Sequence, residues 1–287
     1  MHNDTFNTNK NIKKDIKIAL LSDIHYYKGY NVKILNKIYN QIKKTQPDYI
    51  CIPGDIVDRS RINNIDCKTL FNWLESISSF APTIITLGNH DIKDGERHDW
   101  KYNCNVEYIN GLKSLKNVYL LEETKKDFNN ISFYGFNLSY KYYEDDDELY
   151  ETFESEVKDL NPNFNNHNYN VILFHSPINI YKFIKNNNKH PFNKCDLILS
   201  GHMHNGCLPY WFSKFINKTF KTSRSIISPL RTILPKYSQG KIYNDIKDGF
   251  VYEGINKLSK CTKKFHKFDF IYSKNIQLLT IKKNTKN

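Results

Sequence analysis

The chain has 287 residues, 39% of them hydrophobic and 14% aromatic with 20 Tyr and 18 Phe, which is enough to bury a core of ordinary size and excludes a wholly disordered chain. A formal net charge of +12 would fit nucleic acid or an anionic membrane surface if the lysines clustered, but they are spread along the chain beside Asn, Ile and Tyr and read as compositional bias. No stretch approaches the roughly 20 apolar residues of a membrane span, and no signal-like segment opens the chain, so the expected location is the cytoplasm.

In chain order, residues 1–14, rich in Asn, Thr and Lys, lack apolar periodicity and are expected to be disordered, as are residues 282–287. Between them a single α/β domain over 15–283 is expected rather than two. Residues 16–21 read as a strand; Val32, Ile34, Leu35, Ile38 and Ile42 recur at helical spacing, and 49–52 form the next strand. Cys67, Leu70, Phe71, Leu74 and Ile77 mark a second helix, followed by strands at 83–87, 118–121 and 131–136. Leu149, Phe153, Val157 and Leu160 share one helical face, and apolar runs at 171–174 and 197–199 are again strands. Residues 208–241 form a basic aromatic insertion, with Trp211, Phe212, Phe215, Ile216 and Phe220 interleaved with Lys214, Lys218 and Lys221; it reads as a lid or as a membrane-surface helix over 208–221. Runs at 250–254, 265–272 and 276–281 are expected to complete a second sheet. Six scattered cysteines without a CxxC pair suit reduced thiols, with Cys51 and Cys195 inside strands.

Polar clusters follow five of the apolar runs: Asp23-Ile24-His25, Gly54-Asp55-Ile56-Val57-Asp58, Gly88-Asn89-His90-Asp91, His175, and Gly201-His202-Met203-His204. Ligand sites in open α/β sheets gather at the carboxyl ends of strands, where these clusters can converge. Imidazole and carboxylate groups suit divalent ions of the Mn, Fe or Zn kind, and a pair of such ions can hold the attacking and leaving oxygens of a phosphoryl displacement. Hydrolysis of phosphate esters is the chemistry this pattern points to. No GxSxG elbow or P-loop offers an alternative nucleophile or phosphate cradle.

Taken in this order, the clusters resemble the signature of the calcineurin-like metallophosphoesterase superfamily, DxH, GDxxD, GNHD, a lone His and GHxH, from Asp23 to His204. The resemblance implies a four-layer αββα sandwich of two mixed β-sheets flanked by helices. It implies that Asp23, His25 and His204 hold one divalent ion, that Asn89, His175 and His202 hold the other, and that Asp55 bridges both, with Mn, Fe and Zn all acceptable. His90 would act over the site, stabilising the transition state or protonating the leaving oxygen, with Asp58 holding its ring, and Arg59 would reach the substrate phosphate. Asp91 would support the turn from behind the ligands. The implied reaction is direct attack by a hydroxide held between the two ions.

Met203 and Cys207 depart from residues frequent in relatives but remove no ligand. Pro229-Leu230-Arg231 and Tyr237-Ser238-Gln239-Gly240-Lys241 resemble the tail of a bacterial phosphodiesterase branch acting on lipid-linked or cell-wall sugar phosphates. The expected activity is therefore that of a phosphodiesterase acting on a phosphorylated small-molecule or lipid-linked substrate. A nuclease, which would need a basic groove with aromatic platforms, and a catalytically silent scaffold are the alternatives.

Overall fold

The computed structural model describes residues 2–58, 67–92, 106–137, 148–204, 215, 219, 240–242, 248–251 and 275–284. The first six-stranded sheet is built on β2 (Ile16–Leu20), β3 (Tyr49–Pro53), β4 (Thr83–Thr86) and β5 (Val118–Leu120), parallel and adjacent in that order. All four residues of β4 and all but Tyr49 of β3 are buried, as expected of parallel strands covered on both faces. The connections run through α1 (Val32–Thr45), α2 (Cys67–Ser78) and α3 (Val106–Ser114). The Asn31 side chain caps α1 by accepting from the Lys33 amide at 3.1 Å, and Ile34, Leu35, Ile38 and Ile42 form its buried stripe.

The second six-stranded sheet contains β6 (Thr124–Phe128), β7 (Ile131–Gly135), β8 (Tyr169–Leu173), β9 (Leu197–Ser200), β10 (Gly240–Lys241) and β11 (Asp248–Val251), in the order β10-β11-β9-β8-β7-β6. Strands β7, β8, β9 and β11 run parallel, and β6 and β10 pair antiparallel at the two edges. The period of two along a strand sends alternate residues to opposite layers. Phe133, Val171, Leu173, Leu197 and Leu199 join the cluster shared with the first sheet. Tyr134, Ile172, Phe174 and Ile198 instead pack with Phe153 and Val157 of α4 (Glu148–Val157) and Ile180, Phe183 and Ile184 of α5 (Pro177–Asn186). The result is the four-layer arrangement of two mixed sheets between helices.

Two expectations about the ends are corrected. Within 1–14, residues 2–8 form a strand: β1 (His2–Thr8) pairs in parallel with β12 (Gln277–Lys283). Its alternation escapes notice because the inward side chains are Asp4, Phe6 and Thr8, two of them polar; Gln277 Nε2 donates to Asp4 Oδ2 at 2.8 Å, while Phe6 is fully buried. The domain thus begins before residue 15 and extends through Lys283, whose neighbour Asn284 donates its amide to Thr8 O. Nor do the last runs complete one sheet: β11 joins the second, whereas β12 inserts into the first between β1 and β2. Residues 252–274, including the run at 265–272, lie outside the described residues, as does the insertion 208–239 apart from residues 215 and 219.

Phe6→Ala should lower the unfolding free energy by about 3–5 kcal/mol, the usual cost of emptying a buried aromatic site. A denaturant melt with a loss below ~1 kcal/mol would show that β1 adds little to the core.

Candidate metal centre

Strands β2, β3 and β4 of one sheet and β8 and β9 of the other end within a few residues of Asp23 and His25, Asp55, Asn89 and His90, His175, and His202 and His204. The structure brings these side chains together at the carboxyl edge of both sheets, all buried except His90. Asp23, His25, Asp55 and His204 each offer one ligand atom, and these atoms lie within 4.8 Å of one another. His175 Nε2 stands 3.2 Å from Asp55 Oδ2, and His202 Nδ1 stands 3.1 Å from Asn89 Oδ1. The rings of His175 and His202 meet edge to face at 5.1 Å.

The backbone is shaped for this convergence. Asp23, His25, Asp55, His202 and His204 all take left-handed φ values, at 54°, 50°, 55°, 69° and 46°. Each such conformation costs a non-glycine residue roughly 1–3 kcal/mol and persists only where the surroundings impose it. Here the imposing contacts are visible. The His202 amide lies 3.1 and 3.2 Å from the two oxygens of Asp23, docking the GHxH turn onto the first cluster. Ser22 Oγ donates to Pro53 O and Gly54 O, tying the end of β2 to the end of β3. Pro53 O also lies 2.7 Å from His175 Nδ1; since a carbonyl only accepts, that nitrogen carries the proton and Nε2 is left to face Asp55.

Asp91 ties the second and third clusters together. Its Oδ2 accepts the amides of Asp55 and Gly88 at 2.7 and 2.8 Å, and its Oδ1 accepts those of Ile56 and Val57, both at 3.0 Å. Asp55 Oδ1 in turn accepts the His90 amide at 2.7 Å. A fifth donor to Asp91, the Tyr108 hydroxyl at 3.2 Å, has no signal in the sequence, because it comes from α3, 17 residues downstream.

His90 remains at the rim, its side chain 25% exposed. Its Nδ1 lies 3.6 Å from Asp58 Oδ1, and its ring meets His25 edge-on at 4.7 Å. Arg59 lies outside the described residues.

The electrostatics reflect a cavity built for positive charge. Burial pushes the Asp23 carboxyl up to about 7, with Asp55 adding to the effect and His175 opposing it. Burial works in the same direction on Asp55, but His175, His90 and His25 outweigh it and hold that carboxylate well below its usual range. Burial would lower His175, yet the Asp55 and Asp23 carboxylates raise it to about 9. Asp55 Oδ2 is buried, and its close neighbours among the described residues are the imidazole nitrogens His175 Nε2 at 3.2 Å and His25 Nε2 at 3.6 Å. His25 Nε2 and His204 Nε2 approach to 3.1 Å, a contact that needs a shared cation or a proton between them. Inward-facing imidazoles, carboxylates and an amide oxygen therefore fit divalent ions of the borderline kind, with Asp55 placed between the two halves.

The sequence profile of the calcineurin-like phosphoesterase family matches residues 16–206, a span that holds every residue of this centre. The chain belongs to that family. An uncharacterized metallophosphoesterase of Campylobacter jejuni is 28% identical over 204 residues, covering 70% of this chain and 48% of the relative, so the chain spans about half the relative's length. A phosphoesterase of Invertebrate iridescent virus 6 is 24% identical over 112 residues, 38% of each chain. Among solved structures, a dimetal phosphatase from Danio rerio aligns over 84% of this chain and 88% of its own, with 9% identity and a TM-score of 0.42. A 5'-nucleotidase precursor from Thermus thermophilus aligns over 83% and 48%, with 12% identity and the same TM-score of 0.42.

Cys51, Cys67 and Cys195 form no disulfide among the described residues, Cys51 and Cys195 being buried, while Cys104, Cys207 and Cys261 lie outside the described residues. No helix among the described residues is long and apolar enough to cross a membrane.

Proposed function

We propose that the protein hydrolyses phosphate esters with two divalent metal ions, and that phosphodiesters are its preferred substrates. The observation that carries this reading is the buried Asp23, His25, Asp55 and His204 cluster, with His175 against the same Asp55 carboxylate, His202 against the His175 ring and Asn89 against His202. Asp23, His25 and His204 would hold one ion, Asn89, His175 and His202 the second, and Asp55 both. Bound there, two divalent ions lower the pKa of water toward neutrality and offset charge on the phosphoryl oxygens.

The chain's own residues supply the rest. His90, at the rim beside His25, would give a proton to the departing alkoxide, and Asp58, whose Oδ1 lies 3.6 Å from His90 Nδ1, would fix the orientation of its ring. Burial of the ligands keeps bulk water from competing with the phosphoryl group. The resemblance of 229–231 and 237–241 to the bacterial phosphodiesterase branch supports a small-molecule or lipid-linked diester. A cytoplasmic site of action, with peripheral membrane contact through 208–221, completes this reading.

Metal-free protein, given Mn, Fe, Zn or Mg separately and assayed on an aryl phosphodiester and the matching monoester, tests it. Turnover restored by at least one ion and faster on the diester is expected. Stoichiometric binding of two ions with no turnover on either ester would overturn the hydrolase reading in favour of a silent scaffold.

A further inference from the structure

We propose that Tyr108 is a positioning residue of the metal centre, acting through Asp91; the inference rests on the metal-centre reading above. Asp91 is fully buried and accepts five hydrogen bonds. Four come from backbone amides of the two ligand loops, at Asp55, Ile56, Val57 and Gly88, so they join those loops to each other and to nothing outside them. The fifth, from the Tyr108 hydroxyl, is the donor that fixes this net to the helical layer.

Tyr108 is itself packed on its far side. It is fully buried and stacks on Phe71 of α2, with ring centroids 6.5 Å apart and planes 7° from parallel. One turn along α3, Gly111 leaves room for that Phe71 ring, which a Cβ would strike. The two helices therefore hold the phenol from behind while its hydroxyl meets Asp91 Oδ1. A buried tyrosine hydroxyl needs a partner, and the partner chosen here is the group that sets the backbone of the bridging carboxylate. Rotation of Asp91 by a few degrees would move the Asp55 amide and, with it, the oxygen that faces both halves of the centre. Partners placed behind metal ligands in this way typically govern affinity or activity by roughly 10- to 100-fold.

Tyr108→Phe keeps the ring and its stacking and removes only the donor. Manganese titration of the metal-free full chain, followed by calorimetry and by electron paramagnetic resonance, should show the second ion bound roughly 10- to 100-fold more weakly. The exchange-coupled signal of a manganese pair should give way to that of isolated ions, with the melting temperature of the metal-free protein within about 5 °C of the parent. Phe71→Leu loosens the same helix contact without touching the hydroxyl; it should lower the melting temperature and leave the coupled signal intact. If Tyr108→Phe binds the pair as tightly as the parent, with the coupled signal unchanged, the positioning role is overturned and the hydrolase reading stands. If the parent itself binds no coupled pair, both are overturned.

Discussion

Asp55→Asn should reduce metal-dependent turnover by at least about 10³-fold, equivalent to ~4 kcal/mol of barrier. The cause lies in the division of labour between the two carboxylate oxygens. Oδ1 is committed to the His90 amide at 2.7 Å, while Oδ2 faces His175 Nε2 at 3.2 Å and His25 Nε2 at 3.6 Å, one from each half of the centre. Asparagine has one oxygen. Satisfying the His90 amide turns the side-chain NH2 toward the place where Oδ2 stood, so a donor faces the cations; the opposite rotamer sets donor against donor at His90. Either way the bridge is lost. Metal analysis should find at most one ion per chain, and a variant that holds two ions and keeps a tenth of the parent's turnover would remove Asp55 from the bridging role.

Gly54→Ala should be nearly as damaging, though it changes no ligand. Gly54 adopts φ +86°, and an added Cβ would lie 2.6 Å from the Gly88 amide nitrogen, 2.7 Å from Gly88 Cα and 2.7 Å from His175 Nδ1. None of these can retreat cheaply: the Gly88 amide donates to Asp91 and His175 Nδ1 to Pro53 O. Expected are a loss of roughly 3 kcal/mol or more in stability and failure to bind two ions. Gly29 supplies the comparison, since it has nearly the same φ, +89°, and a Cβ added there would meet nothing within 4 Å. Gly29→Ala should cost only about 1 kcal/mol and leave metal binding intact. Equal effects of the two substitutions in a thermal melt would show that backbone conformation alone, not the close packing of the loops, decides the outcome.

The candidate site is legible in the sequence because its chemistry is local. Each ligand lies within a few residues of a buried apolar run, and His, Asp and Asn at such places are scarce enough to stand out. What escapes notice depends on partners far apart in the chain. Phe6 reads as an isolated aromatic among Asn and Thr until β12 is beside it, and Tyr108 draws no notice until its hydroxyl finds Asp91. Helices α3 and α5 are missing from the sequence reading as well. Their apolar positions, Tyr108, Ile109 and Leu112 in one and Ile180, Phe183 and Ile184 in the other, do have helical spacing, but neither segment carries a polar cluster that draws attention to it. Arg59 and most of the basic aromatic insertion lie outside the described residues.

The placement of β12 sets an order on assembly during synthesis. β1 precedes the other described strands in the chain yet pairs, among them, only with β12, and β12 fills the gap between β1 and β2. While the ribosome makes the intervening chain, β2 presents an open edge, and the emerging strands β3, β4 and β5 can add only on its other side. Both halves of the metal centre can meet once His204 has emerged, but the sheet that carries Asp23, His25 and Asp55 is closed only by residues 277–283. Such a long-range pairing is slow to form and leaves a strand edge exposed until it does, so the nascent chain is vulnerable to aggregation at the β2 edge until β12 arrives.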